Sequence, residues 1–189
     1  MSDIERYLAA AREATASLNG NAVRKAAELC VECIGNGGTV FFCGNGGSAA
    51  DSQHFAGELV GRFRMDRRAL PAVAITANSA VITAIANDYD YSLVFSRQVE
   101  ALGRPGDLLV GISTSGGSMN VIKAMEKARE MGMKTIGFTG AAEGAVGRLS
   151  DVCVSAESPE TSHVQEALLI AGHAVCDAVE KAFRGRGDD

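Results

Sequence analysis

Short apolar runs and helix-period stretches alternate along this chain. Thr39-Val40-Phe41-Phe42-Cys43, Leu70 to Thr76, Asp107 to Ile112, Lys134 to Gly140 and Asp151 to Val154 are brief and rich in β-branched or aromatic residues, and they read as buried strands. Helix-forming stretches separate them: one entered from 44–51, Ala80 to Ala86 with Ser79 as its cap, one around Phe95 to Leu102, and one from about Met119 to Met131. Such alternation predicts an α/β fold built on a mainly parallel five-stranded sheet with helices on both faces.

The ends of the chain add helices to this pattern. Asp3 to Leu18 carries Ile4, Tyr7, Leu8, Ala11, Ala14, Thr15 and Leu18 at helical spacing, and a second helix follows with Asn21 as its cap and Gly35, Gly37 and Gly38 to end it. These N-terminal helices need a partner for their apolar stripe. It is either the sheet or another subunit, and the second option makes them the first candidate for oligomer contacts. The last helix spans about Ser162 to Phe183 after Pro159, with Ser162 and Gln165 spaced as a capping box. A single domain over 1–189 is expected, with N-terminal helices in 1–36 and an α/β core in 37–189.

Composition narrows the class. At 189 residues and 47% apolar, the chain can bury a full core, and its net charge of -5 leaves no electrostatic footprint for nucleic acid. The cluster Arg62, Arg64, Arg67 and Arg68 is short, holds Asp66 inside it, and reads as a solvated or intersubunit loop. Five cysteines without a disulfide framework, and no charged-then-apolar leader, lead to the expectation of a reducing cytoplasm. Cys30 and Cys33 form a C-x-x-C inside helix-like sequence with no second pair to complete a zinc knuckle, so they read as packing cysteines. No apolar run approaches the roughly 20 residues needed to cross a bilayer.

Chemistry concentrates at two strand-to-helix loops. In Gly44-Asn45-Gly46-Gly47-Ser48 the glycines allow a sharp turn and close backbone approach, and the helix that follows presents free N–H groups suited to an anion such as phosphate. The loop matches neither the dinucleotide fingerprint nor the P-loop, and such glycine turns are also common as plain connections. Ser113-Thr114-Ser115-Gly116-Gly117-Ser118 repeats the architecture with four hydroxyls, which can hold a phosphate dianion without Lys or Arg. In an open parallel sheet two such loops can converge on one crevice. Farther along the first loop's helix, His54 and Glu58 stand four apart on one face, as a metal pair or an ordinary surface pair. Gln165 and His173 lie eight apart on the last helix, and they matter only if they converge on His54 and Glu58. His163 competes as a ligand but is expected near solvent, and Asn87-Asp88-Tyr89-Asp90-Tyr91 reads as a polar break ending a short helix.

Taken together, the segments C-G-N-G-G-S-A-A-D-S-Q-H-F-A-G-E-L, L-P-A-V-A-I-T, T-A-I-A-N-D-Y, V-F-S-R-Q-V-E-A-L-G-R-P-G-D, I-S-T-S-G-G-S and T-S-H-V-Q-E-A-L-L-I-A-G-H resemble the sugar isomerase (SIS) domain family and, within it, the phosphoheptose isomerases. The resemblance implies a homotetramer with sites near subunit interfaces and one zinc per subunit held by His54, Glu58, Gln165 and His173. It implies substrate contacts at Asn45, Gly46, Gly47, Ser48, Glu58, Asn87, Asp88, Ser113, Thr114, Ser115, Ser118 and Gln165, with Glu58 and His173 as catalytic base and acid/base. The implied reaction is aldose–ketose isomerisation of sedoheptulose 7-phosphate to D-glycero-D-manno-heptose 7-phosphate, at the start of nucleotide-activated heptose synthesis for bacterial surface polysaccharide. His163 stands where the family pattern has Arg, and Gly117 where it has Asn. Two rival readings are an isomerase of another phosphosugar and a non-catalytic SIS scaffold that binds the replication initiator. The scaffold relative lacks counterparts of Glu58 and His173.

Overall fold

The structure is a computed structural model and describes residues 1–140, 142 and 144–184. Five parallel strands form one sheet in the order β2-β1-β3-β4-β5: β1 (Val40–Gly44), β2 (Ala72–Ala74), β3 (Leu108–Ser113), β4 (Lys134–Thr139) and β5 (Val152–Ser155). Each lies within a residue or two of its expected span. Alternation along the strands divides the core between two faces. Val40, Phe42, Leu108, Val110, Ile112, Ile136 and Phe138 point to the side covered by α2 (Gly20–Gly35), α3 (Gly47–Val60) and α8 (Thr161–Ala182). Phe41, Cys43 and Leu109 point to the other side, under α5 (Ser96–Leu102) and α6 (Met119–Glu130).

The N-terminal helix α1 (Asp3–Ala16) packs on α8, as does α2, so both find a partner within the chain. Only Ala14 of α1 is buried, and Ile4, Tyr7 and Leu8 remain exposed. α4 (Ser79–Asp88) runs through Asn87 and Asp88 before a 3-10 turn at Tyr91–Leu93, and a short α7 (Ala145–Arg148) precedes β5.

Three caps differ from expectation. Asn19, not Asn21, caps α2 by accepting the Asn21 and Ala22 N–H groups at 2.9 and 3.2 Å, and Asn78, not Ser79, caps α4 by accepting from Val81 at 3.1 Å. The capping box of Ser162 and Gln165 does not form: Glu160 stands at the N-cap of α8 without a side-chain bond, and Gln165 turns elsewhere. His163 is also not near solvent. It is 3% exposed, with its ring 4.3 Å from that of Tyr7, because α1 closes over the first turn of α8.

None of the five cysteines is in a disulfide, and Cys30 and Cys33 pack in the core. Burial pushes the Cys33, Cys43 and Cys176 thiols up to about 12, which suppresses thiolate chemistry. No helix among the described residues is long and apolar enough to cross a membrane. The basic cluster divides: Arg62, Arg64 and Arg68 are exposed, whereas the Arg67 side chain is 2% exposed and paired with buried Glu180. A solvated loop is therefore the wrong description of Arg67.

Candidate active site and metal centre

β1 and β3 are neighbours in register, with Cys43 beside Gly111 and Gly44 beside Ile112, so the loops that leave them emerge side by side. Gly46 sits at φ +56 and Gly116 at φ +69, in the left-handed region that glycine enters without a Cβ clash. Asn45 and Asn120 tie the loops together by exchanging two side-chain hydrogen bonds of 2.8 Å each. The Tyr91 hydroxyl donates to Asn45 Oδ1 at 3.1 Å and closes this end of the crevice. In the second loop Ser113 Oγ donates to Ser118 Oγ at 2.9 Å, and the Gly117 N–H donates to Ser115 Oγ at 3.3 Å. Ser48 and Ser113 are buried, Thr114 and Ser118 half-buried, and Ser115 exposed. Asn87 donates to Asp88 at 2.8 Å, both exposed at the end of α4.

The first loop runs directly into α3, whose next turns carry Asp51, His54 and Glu58. Helical spacing puts these three on adjoining lines of one face, and α8 crosses that face. There His173 Nε2 approaches His54 Nε2 to 2.7 Å, and His54 Nε2 lies 3.5 Å from Glu58 Oε1. One ligand atom from each of His54, Glu58 and His173 fits within 4.8 Å of the others. Two imidazoles and a carboxylate are a donor set suited to zinc and equally to nickel, cobalt or iron. The spacing meets the first requirement of a metal centre, convergent donors from two rigid helices.

Gln165 connects the cluster to the glycine loop at Gly46 and Gly47. Its Nε2 donates to Asp51 Oδ2 at 2.9 Å, and its amide packs so closely on Gly47 that a Cβ there would lie 2.3 Å from Nε2. Burial raises the Asp51 carboxyl above its ordinary value, opposed by the Gln165 hydrogen bond and by His54 and His173. The Phe63 ring stacks on the His173 imidazole at 5.6 Å with 26° between planes.

The structure thus brings together Asn45, Gly46, Gly47 and Ser48 with Ser113 to Ser118, and His54, Glu58 and His173 with each other. Gln165 stands between the two groups. Sequence reasoning missed Asp51, Tyr91, Asn120 and Phe63. Asp51 had a usable signal, since it precedes His54 by three on a helix. The others act through contacts across the chain that no local spacing announces.

Known proteins resemble this chain in sequence and in fold. The family model of the SIS domain matches residues 4–140. The phosphoheptose isomerase of Akkermansia muciniphila is 47% identical over 173 residues, covering 92% of this chain and 91% of that protein. That of Roseiflexus sp. is 53% identical over 157 residues, covering 83% and 80%. Among solved structures, the phosphoheptose isomerase from Neisseria gonorrhoeae superposes with a TM-score of 0.88 at 41% identity, over 94% of this chain and 97% of that one.

Proposed function

The chain belongs to the SIS domain family, and from that premise we infer that it is a phosphoheptose isomerase, interconverting sedoheptulose 7-phosphate and D-glycero-D-manno-heptose 7-phosphate. The observation that carries the chemistry is the convergence of His54, Glu58 and His173 beside two loops of hydroxyl and N–H donors. The phosphate lies at the hydroxyl loop, Ser113, Thr114, Ser115 and Ser118, with the N–H groups of the glycine loop as further donors. Asn45, Asn87, Asp88 and Gln165 supply polar contacts to the sugar.

Isomerisation moves one proton from C1 to C2 and another from the C1 oxygen to the C2 oxygen. Glu58 takes the C1 proton and returns it to C2 on the same face. His173 gives a proton to the C2 oxygen and takes one from the C1 oxygen, a task an imidazole performs near neutral pH. His54, Glu58, Gln165 and His173 are the residues that would hold zinc, which when bound would polarise the substrate oxygens as a Lewis acid. A carboxylate that held the metal would be a weaker base, so ligation and proton transfer would compete for Glu58.

The exposed stripe of Ile4, Tyr7 and Leu8 on α1, continued by Ile170 on α8, supports assembly into a homotetramer with the sites near its interfaces. Free thiols suit a reducing cytoplasm. The product would feed nucleotide-activated heptose for surface polysaccharide.

Purified protein is tested for conversion of sedoheptulose 7-phosphate by proton NMR, after chelation and again with zinc restored. Zinc-dependent formation of the heptose 7-phosphate is the expected result. No conversion by folded, zinc-supplemented protein would overturn the reading in favour of another phosphosugar or a protein-binding scaffold.

A further inference from the structure

Between α3 and β2 the chain runs through Gly61 to Leu70 without regular structure, yet several bonds from the site-bearing helices hold it. Glu180 is 1% exposed, and its carboxylate accepts the backbone N–H groups of Phe63, Arg64 and Met65 at 2.9, 2.7 and 3.0 Å. The Arg67 guanidinium lies beside it, with Nε 3.4 Å from Glu180 Oε1 in a charge contact without hydrogen-bond alignment. Arg67 also donates to the backbone oxygens of Glu58 at 2.8 Å and of Gly61 and Arg68 at 3.0 Å each.

His173, Asp177 and Glu180 follow one another at helical spacing, so one face of α8 meets this segment at three successive points. His173 meets Phe63 ring to ring, Asp177 meets Arg64 at 3.5 Å, and Glu180 meets the three N–H groups. The Arg64 guanidinium lies in turn 5.2 Å from the Phe63 ring centre. The far end of the same segment is bonded to the carbonyl of Glu58, a member of the metal cluster. Residues 63–67 therefore join the two helices immediately beside the point where their ligands converge.

We propose that residues 63–67 act as a positioning strap for the metal site: Phe63 holds the plane of the His173 imidazole, and the buried Glu180–Arg67 pair holds Phe63. An imidazole on a helix turns about two side-chain bonds, and a flat ring stacked on it removes that freedom while leaving both nitrogens clear. Groups that orient a ligand in this way set how tightly the metal is bound. Phe63, Arg67 and Glu180 are positioning residues, since each acts through another group: Phe63 on the His173 ring, and Glu180 with Arg67 on the segment that carries Phe63. The inference rests on the metal reading above.

The test measures zinc dissociation constants by competition with a chromophoric chelator for wild type, Phe63→Leu and Phe63→Tyr, with melting temperatures of the metal-free proteins and visible spectra of their cobalt forms. Phe63→Leu should bind zinc about tenfold more weakly, with an altered cobalt spectrum and little change in melting. Phe63→Tyr, which keeps the stacked ring, should return both to wild type. If the leucine variant melts early, Phe63→Met refills the space with a flexible side chain and is read in its place. Equal zinc affinity in wild type and Phe63→Leu, or in Phe63→Met where it stands in, would overturn the strap alone. A wild-type chain that takes up no zinc would overturn the metal reading and the strap with it.

Discussion

Gly47→Ala separates the fold from the site. Gly47 opens α3 with a backbone that any residue can adopt, but its ideal Cβ would lie 2.3 Å from Gln165 Nε2 and 2.5 Å from Oε1. Ordinary contact begins near 3.4 Å, so the amide must retreat by about 1 Å. Gln165 ends in a flexible chain, so it can swing aside while α8 stays in place. Its 2.9 Å bond to Asp51 is then lost, leaving a carboxyl that is 9% exposed without that donor. That loss should cost about 1–3 kcal/mol, partly offset by the roughly 0.5–1 kcal/mol that alanine gains over glycine in a helix. For a chain of this length the melting temperature should fall by no more than about 10 °C. Activity should fall much further, because an error of about 1 Å in a positioned group costs on the order of 100-fold. The assay compares kcat/KM, zinc affinity and thermal melting with wild type. A variant within twofold of wild-type kcat/KM would refute the placement of Gln165 in the site, and a variant that does not fold would refute the argument that only its amide moves.

A glycine one helix away should behave in the opposite way. Gly172→Ala would place a Cβ 2.1 Å from the Phe55 ring, which is 2% exposed and packed between Phe42 and Phe138, so overpacking should cost about 1–3 kcal/mol in thermal melting. An unchanged melting temperature would show that Phe55 has room to move. Glu58→Gln should lower kcat by about 10²–10⁴ while size-exclusion behaviour stays that of wild type, and retained activity would remove Glu58 as the base. Ser115→Ala should weaken substrate binding by about 1–3 kcal/mol with kcat little altered, so an unchanged KM would count Ser115 out of the phosphate site. Burial works to raise the Glu180 carboxyl, but three backbone N–H bonds and Arg67 outweigh it and hold it below its ordinary value of 4.5. A depressed carboxyl contributes stability that is present above that value and lost as pH falls through the folded-state value. Glu180→Gln should therefore flatten the acid limb of a stability–pH curve, and an unaltered limb would show that the pair does not set it.

The sequence by itself determined the sheet, because strand length, β-branched content and intervening helices leave few arrangements of five parallel strands. It also determined that His54 and Glu58 share a face, since four residues is about one helical turn. Cap choice was already beyond it: Asn19 and Asn21, or Asn78 and Ser79, are equally able acceptors, and the helix start is set by where packing bends the chain. Gln165 had the spacing of a cap, yet it reaches Asp51 because α8 lies across α3. Arg67 looked like one more surface charge until Glu180, 113 positions later, came to lie beside it. His173 meets His54 across 119 positions for the same reason. Local spacing decides which side chains share a face, whereas which faces meet is decided by burial of the whole core, and the convergence of His54, Glu58 and His173, the anchoring of residues 63–67 and the joined loops all belong to that second decision.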